Sequence, residues 1–318
     1  MKKIVYVTGC LGFIGSYITR RCLEKGWYVK GIDKITYAAR EELLEEFNKN
    51  PKFSFEKLDI CNIERLVDCD YFINTAAETH VDNSIRKSSD FIHSNINGVY
   101  NILELLKSHK KEGCVTPTFI HFSTDEVYGD VVDGEHIETD ILKPSNPYAA
   151  TKAAADMLIF AWARTYHIDY IIVRPTNNYG IGQYVEKLIP KSIKYLNFGR
   201  KIPLHNCGVP KRNWLHVEDT AKSIIKIIES EIKNEIFNVC GAFEQRNIVT
   251  VNKIIDCYFN KTHNNVDEFV DFSCSRTGQD VRYALNCEKI KSIGWKSEHN
   301  FDKEISSIVE YYKNKFTW

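Results

Sequence analysis

The stretch Thr8-Gly-Cys-Leu-Gly-Phe-Ile-Gly-Ser16 restricts this chain of 318 residues more than any other. A short apolar run, 3–8, precedes it and an amphipathic run, 12–25, follows, so Gly9, Gly12 and Gly15 mark a turn from a strand into a helix. Residues this small let a ligand approach the backbone, and a helix start offers unpaired N–H groups at the positive end of its dipole. The turn, with Phe13 and Ile14 inside it, is therefore expected to seat the pyrophosphate of a dinucleotide. A ligand-free turn uses glycine in the same way, so the rest of the chain has to decide.

The rest of the chain continues the pattern. Apolar runs near 28–33, 53–58, 71–74, 118–123 and 170–174 alternate with helical ones near 84–108 and 146–166, as in a parallel sheet covered on both faces. We expect an α/β chain: a Rossmann-type doubly wound parallel sheet over 1–175, carrying the catalytic residues, and a smaller C-terminal α/β substrate lobe over 176–318. The chain is free to cross between the two. The boundary is placed at Arg174-Pro175, after which Pro, Gly and Asn punctuate shorter, irregular elements. Asp33 closes the second strand, where a carboxylate accepts hydrogen bonds from the adenosine ribose and repels a 2'-phosphate. NAD is preferred to NADP on that ground, although Lys34 and Arg40 are cations close by. Asp59 and Ile60 follow the third strand, and Ala76 and Ala77 follow the fourth, at the sheet edge along which a dinucleotide lies.

Composition narrows the partners. Forty-two basic residues balance 42 acidic ones, so neither a nucleic acid nor an anionic membrane is expected to bind. No apolar run is long enough to span a bilayer, and the glycine turn arrives too early for a signal peptide. The ten cysteines are scattered without C-x-x-C spacing; we read them as reduced thiols of a cytoplasmic protein and expect no metal site.

Two further clusters carry chemistry. Tyr148 and Lys152 are four apart on an expected helix and share one face, where an ammonium and a bound nicotinamide would help the phenol act as a base. An exposed Tyr and Lys on a solvated helix would have the same spacing. Ser123-Thr124-Asp125-Glu126, at the end of the fifth strand, adds a hydroxyl and two adjacent carboxyls. In a closed site, desolvation and mutual repulsion hold one carboxyl as an acid while its neighbour stays a base, a division of roles suited to elimination.

These stretches, with Asp33 to Ala38, Ala76 to Asp82, Arg174 to Gly180 and Glu186 to Pro190, resemble the extended short-chain dehydrogenase/reductases. Within them the likeness is to the nucleotide-glucose 4,6-dehydratases that act on dTDP-glucose or UDP-glucose. The resemblance implies that Thr124 and Tyr148 hold the glucose 4-hydroxyl, Tyr148 removes its proton and the C4 hydride passes to NAD. Glu126 then takes the C5 proton, Asp125 protonates the departing C6 hydroxyl, and the hydride returns to C6. It also implies that Asn177, Lys187, Arg212 and Asn247 contact the diphosphate or nucleoside, with Arg276 completing the anion site.

Two departures loosen the nucleotide assignment. His205 stands where the family carries a tyrosine against the base, and Gln279 replaces the histidine of its Pro-Gly-His-Asp stretch. They tilt the expectation slightly toward UDP-glucose. The family also implies a homodimer through helices corresponding to 84–108 and 146–166. Other readings are a nucleotide-sugar 4-epimerase, which needs no Asp125-Glu126 pair, and a silent NAD-binding regulator, which would dispense with Thr124, Tyr148 or Lys152.

Overall fold

Residues Ile4–Thr8 form the first strand, β1, in which Val5 and Val7 are buried toward one face of a sheet and Tyr6 toward the other. Burial on both faces is the mark of a central parallel strand. The structure, a computed structural model, describes residues 2–314. After β1 come α1 (Phe13–Glu24), β2 (Tyr28–Asp33), α2 (Leu43–Phe47), β3 (Phe53–Lys57), β4 (Tyr71–Asn74), α3 (Val81–Arg86) and α4 (Ser89–Phe91). There follow α5 (Gly98–Lys111), β5 (Thr118–Phe122), α6 (Pro147–Tyr166), β6 (Tyr170–Pro175), β7 (Asn177–Tyr179), α7 (Leu188–Asn197), β8 (Ile202–Pro203) and β9 (Lys211–His216). The last are α8 (Val217–Ser230), β10 (Glu235–Val239), β11 (Phe243–Arg246), α9 (Asn247–Phe259), β12 (Val270–Asp271), α10 (Glu288–Ser292) and α11 (Phe301–Asn314).

The main sheet runs β10-β6-β5-β4-β1-β2-β3 with every neighbour parallel, which is the Rossmann-type order with one strand added at an edge. On one face Ile18 and Cys22 of α1 pack with Ile224 and Ile228 of α8; on the other, Ile102 and Leu106 of α5 pack with Ala155 and Ile159 of α6. A second core gathers Tyr179, Ile193, Trp214, Ile254 and Phe301 from α7, α9, α11 and a three-stranded sheet of β11, β9 and β7. The strand order reverses between β1 and β4. Their carboxyl ends splay into a crevice there, and that crevice positions the site.

All six expected strands are present. The single helix expected over 84–108 is not. The chain breaks after α3, and Ile92–Asn97 winds as a wider π turn ahead of α5. At that turn Asn95 accepts from Glu78 N at 2.9 Å and donates to Glu78 O and Thr151 Oγ1, each at 3.0 Å. Bonds to the loop after β4 and to α6 compensate the departure from regular winding. Residues past 175 are also more regular than their punctuation suggests, since α8 and β10 return to the main sheet.

The cysteine reading needs correction at one pair. Cys240, just after β10, is disulfide-bonded to Cys287, 47 residues later and just before α10. Return of β10 to the sheet edge brings them to a Cα separation of 6.1 Å, which a disulfide spans and which no sequence spacing displays. The other eight are free thiols.

Candidate active site

One cavity follows the carboxyl edge of the sheet. Gly9, Gly12, Phe13, Ile14, Gly15, Asp33, Asp59, Ile60, Ala76 and Ala77 all line it, together with Thr124, Asp125, Glu126 and Tyr148. The glycines are required by contact. Gly9 has φ +68°, and a Cβ there would lie 2.8 Å from Ala76 N, while one on Gly15 would lie 2.1 Å from Gly9 O. Overpacking of this kind costs about 1–3 kcal/mol, which at the expected pyrophosphate seat corresponds to about 10- to 100-fold weaker NAD binding. Gly15→Ala is thus expected to show that loss by calorimetric titration with NAD; unchanged affinity would remove this turn from the cofactor site.

Asp33, 8 % exposed, accepts from Leu11 N at 3.0 Å and Ile35 N at 2.8 Å, so its carboxylate ties the glycine turn to the end of β2. Burial raises its pKa and outweighs those two bonds. The nearby cations are engaged elsewhere. Lys34 Nζ lies 3.6 Å from Asp59 and 3.7 Å from Glu78, and Arg40 Nε is 3.1 Å from Glu42. With both cations paired, the carboxylate of Asp33 is compatible with NAD at this position.

The chemical centre is set by the end of β5 and the start of α6. Thr124 caps the short 3₁₀ turn Asp125–Tyr128, and its hydroxyl donates to Asp125 Oδ1 at 3.1 Å. Asp125 is 3 % exposed and its Oδ2 has no hydrogen-bond partner among the described residues; burial first, and Glu126 second, push its pKa up to about 7. It is therefore a proton donor near neutrality. Glu126 Oε2 accepts from Asn146 Nδ2 at 3.0 Å, while Asn146 Oδ1 caps α6 by accepting from Ala149 N at 2.9 Å. One asparagine thereby aligns the second carboxylate with the helix that carries Tyr148 and Lys152. Burial, then Glu126, raises the Tyr148 pKa, and burial lowers that of Lys152 to about 8. Lys152 does not line the cavity. It is 3 % exposed, with its Nζ 3.4 Å from His121 Nε2.

The substrate-side residues divide. Asn177 and Lys187 line the cavity; Asn177 Oδ1 is buried without a partner among the described residues, and Lys187 Nζ donates to Thr79 O at 2.8 Å. His205, Arg212, Asn247, Arg276 and Gln279 lie outside its wall. Arg276 forms a forked ion pair with Asp82, at 2.6 and 3.0 Å, and donates to Gln279 Oε1 at 3.3 Å; His205 Nε2 is 3.8 Å from Asp82. Two of the five, Arg276 and His205, thus meet at one carboxylate, and Gln279 is joined to it through Arg276. Arg212 has its guanidinium 4.6 Å from the Tyr283 ring centroid and donates to Asp280 O, the carbonyl that Gln279 Nε2 also reaches at 3.3 Å. Asn247 opens α9, and its Oδ1 is buried without a partner among the described residues.

The profile of the NAD dependent epimerase/dehydratase family matches residues 5–240. The chain belongs to this family. It is 37 % identical to the dTDP-glucose 4,6-dehydratase of Haemophilus influenzae over 97 % of each chain. Among solved structures, DesIV, a dTDP-glucose 4,6-dehydratase from Streptomyces venezuelae with NAD bound, superposes with a TM-score of 0.89 at 31 % identity, covering 98 % of this chain and 97 % of its own. A UDP-glucuronic acid 4-epimerase from Bacillus cereus has the same TM-score, 0.89, at 22 % identity, covering 98 % of this chain and 100 % of its own. The fold is therefore shared by two chemistries, and the residues have to select between them.

Membership in an NAD-dependent family agrees with the donor set that lines the cavity. The glycine seat, the buried Asp33 and the edge residues Asp59 to Ala77 fit NAD. Several supporting residues escaped the sequence reading: Asn146, His121 and Asn95 carry no charge and belong to no spacing rule, and Asp82 stood inside a matched stretch without a role. Only Asn146 had a local signal. An Asn-Pro pair opening a helical run is an N-cap signature.

Proposed function

We propose that this chain is a nucleoside-diphosphate-glucose 4,6-dehydratase, a hydro-lyase converting dTDP-glucose, UDP-glucose or both to the 4-keto-6-deoxy sugar nucleotide and water. The observation that carries the reading is Asp125 beside Glu126 in the same cavity wall as Tyr148. A 4-epimerase has no use for this second acid and base. Thr124 and Tyr148 hold the 4-hydroxyl, and Tyr148 takes its proton. Bound NAD supplies the hydride acceptor and returns that hydride within the turnover. Glu126, held by Asn146, takes the C5 proton made acidic by the new ketone and later restores it. Asp125 gives its proton to the C6 hydroxyl, which leaves as water. Each cycle ends with one proton more on Tyr148 and one fewer on Asp125, and the Thr124 hydroxyl, bonded to Asp125, stands beside both for the reset.

Relatives named for dTDP-glucose support that nucleotide, while His205 and Gln279 leave room for uridine. The two nucleotides differ by a methyl and a 2'-hydroxyl, and a methyl alters affinity by roughly 1–3 kcal/mol. Incubation of pure protein with each sugar nucleotide is expected to give a product lighter by one water, with no net NADH, and the ratio of kcat/KM values ranks the two. Recovery of only the galactose epimer, or no turnover of either, would overturn the proposal.

The same reading includes a homodimer through α5 and α6, supported by apolar Ile92, Tyr100 and Met157 exposed along this side at 45, 48 and 48 %. Light scattering should give twice the chain mass; a monomer rejects it. A cytoplasmic location also belongs to this reading; the eight free thiols support it, and the Cys240–Cys287 disulfide counts against it.

A further inference from the structure

His121 lies in β5 with no exposed surface, and the mechanism above makes no use of it. Its Nε2 is 3.4 Å from Lys152 Nζ and its Nδ1 is 3.2 Å from Asn74 Nδ2, while Asn74 Oδ1 accepts from Thr8 Oγ1 at 2.6 Å. Thr8 and Asn74 are also 0 % exposed. A hydrogen-bonded chain thus runs from β1 through β4 and β5 to α6 within the protein interior.

The bonding rules of this chain couple His121 to the charge on Lys152. An ammonium has three donors and no acceptor, so an imidazole beside it must present a lone pair at Nε2 and carry its proton on Nδ1. The Asn74 amide supplies the acceptor for Nδ1–H after a half-turn that puts Oδ1 toward His121 and Nδ2 toward the Thr8 hydroxyl. With the amide the other way, Nδ2 donates to Nδ1, the proton sits on Nε2, and only a neutral amine completes the bond. Each charge state of Lys152 therefore has one matching arrangement. Because Thr8 closes the chain in the interior, it is no exit for protons.

The surroundings add little charge. From α6 His121 faces Lys152, and Asp156, one turn further, is held by Arg174 of β6 and by Ser123. From β4 it meets the uncharged Asn74, and on its own strand the Phe119 ring at 5.9 Å. Burial first, and Lys152 second, keep the imidazole neutral by lowering its pKa well below the usual value.

We propose that His121 is a positioning residue for the base: backed by Asn74 and Thr8, it accepts a hydrogen bond from Lys152 and holds the buried ammonium that readies Tyr148 to take a proton. This rests on the reading of Tyr148 and Lys152 as the catalytic pair. His121→Phe keeps a ring of similar size and has no acceptor, whereas His121→Gln restores one. Without an acceptor the ammonium is less stable and the phenolate loses support, so the acid limb of the kcat–pH profile moves up.

For His121→Phe we expect a shift of about one pH unit and about a tenfold lower kcat on that limb, with KM and NAD content near those of the native enzyme. His121→Gln should recover most of the shift. A folded, NAD-loaded His121→Phe with its limb in place overturns the proposal, as does equal loss in both variants at every pH. Should His121→Phe not fold, Asn74→Leu decides, since it cuts the chain behind His121 and must move the limb the same way; an unmoved limb overturns the proposal. Lys152→Met separates the two readings. Activity in that variant removes the catalytic pair itself, whereas an inactive Lys152→Met beside an unshifted His121→Phe removes only the role of His121.

Discussion

Asp125→Asn combined with Glu126→Gln is expected to lower dehydration about 10⁴-fold while leaving NAD bound, since acid and base each contribute about 10²–10⁴ and act on the same elimination. Neither residue belongs to the glycine seat, so NAD titration should be unchanged. Reduced nicotinamide should still form on addition of substrate, because Tyr148 and Lys152 are intact and the block falls after the first hydride transfer. Normal dehydration by the double variant would show that the two carboxyls have been given the wrong roles.

The pH dependence follows from Asp125. Its folded pKa is raised from 3.8 to about 7, so the acid form that the proposed mechanism uses to protonate the leaving hydroxyl prevails below pH 7 and is lost as pH rises through that value. The native enzyme should lose kcat above about pH 7 on a one-proton limb. The same shift has a cost in stability. A carboxyl whose pKa is higher folded than unfolded stabilises the fold below the unfolded value, and that contribution disappears as pH rises toward the folded one. A rise of this size corresponds to about 4 kcal/mol at most. Asp125→Asn alone should therefore melt at higher temperature than the native protein at pH 8 while being nearly inactive. A lower melting temperature there would contradict the buried, uncompensated charge.

Much of this was legible in the sequence, and the reason is local. Gly9, Gly12 and Gly15, Asp33 and the Tyr148–Lys152 pair each sit at a strand end or on one helical face, positions that periodicity alone fixes. The residues that hold the chemistry in place were not legible. Asn95 acts through a π turn that interrupts the expected helix, Cys240 meets Cys287 only because β10 returns to the sheet edge, and His121 gains meaning only from the strands beside it. Each depends on a contact between distant segments. Arg174 shows the difference most sharply, since its Arg-Pro pair read as the edge of a domain and its side chain is among the largest fully buried ones.

Arg174→Met is expected to destabilise the protein by about 3–5 kcal/mol, as removal of one member of a buried ion pair does. The guanidinium reaches Asp156 Oδ2 through Nε at 3.1 Å and Nη2 at 2.9 Å, and donates through Nη1 to Tyr128 Oη at 2.7 Å. Tyr128 Oη in turn donates to Asn238 of β10 at 2.8 Å, so one side chain ties β6 to α6, to the turn after β5 and to the added edge strand. Its loss leaves Asp156, with no exposed surface, holding a charge that, among the described residues, Ser123 and Lys152 still address. Arg174→Met with Asp156→Leu should recover most of the stability, because an apolar pair leaves no charge behind. It should not recover the activity. Burial lowers the Lys152 pKa and Asp156 opposes that fall, so the apolar pair lets the ammonium weaken further and raises the pH at which Tyr148 can act. Thermal melts and kcat–pH profiles of the single and double variants separate the two effects; a double variant as unstable as the single one would show that packing around Arg174, not its charge pairing, holds this part of the fold.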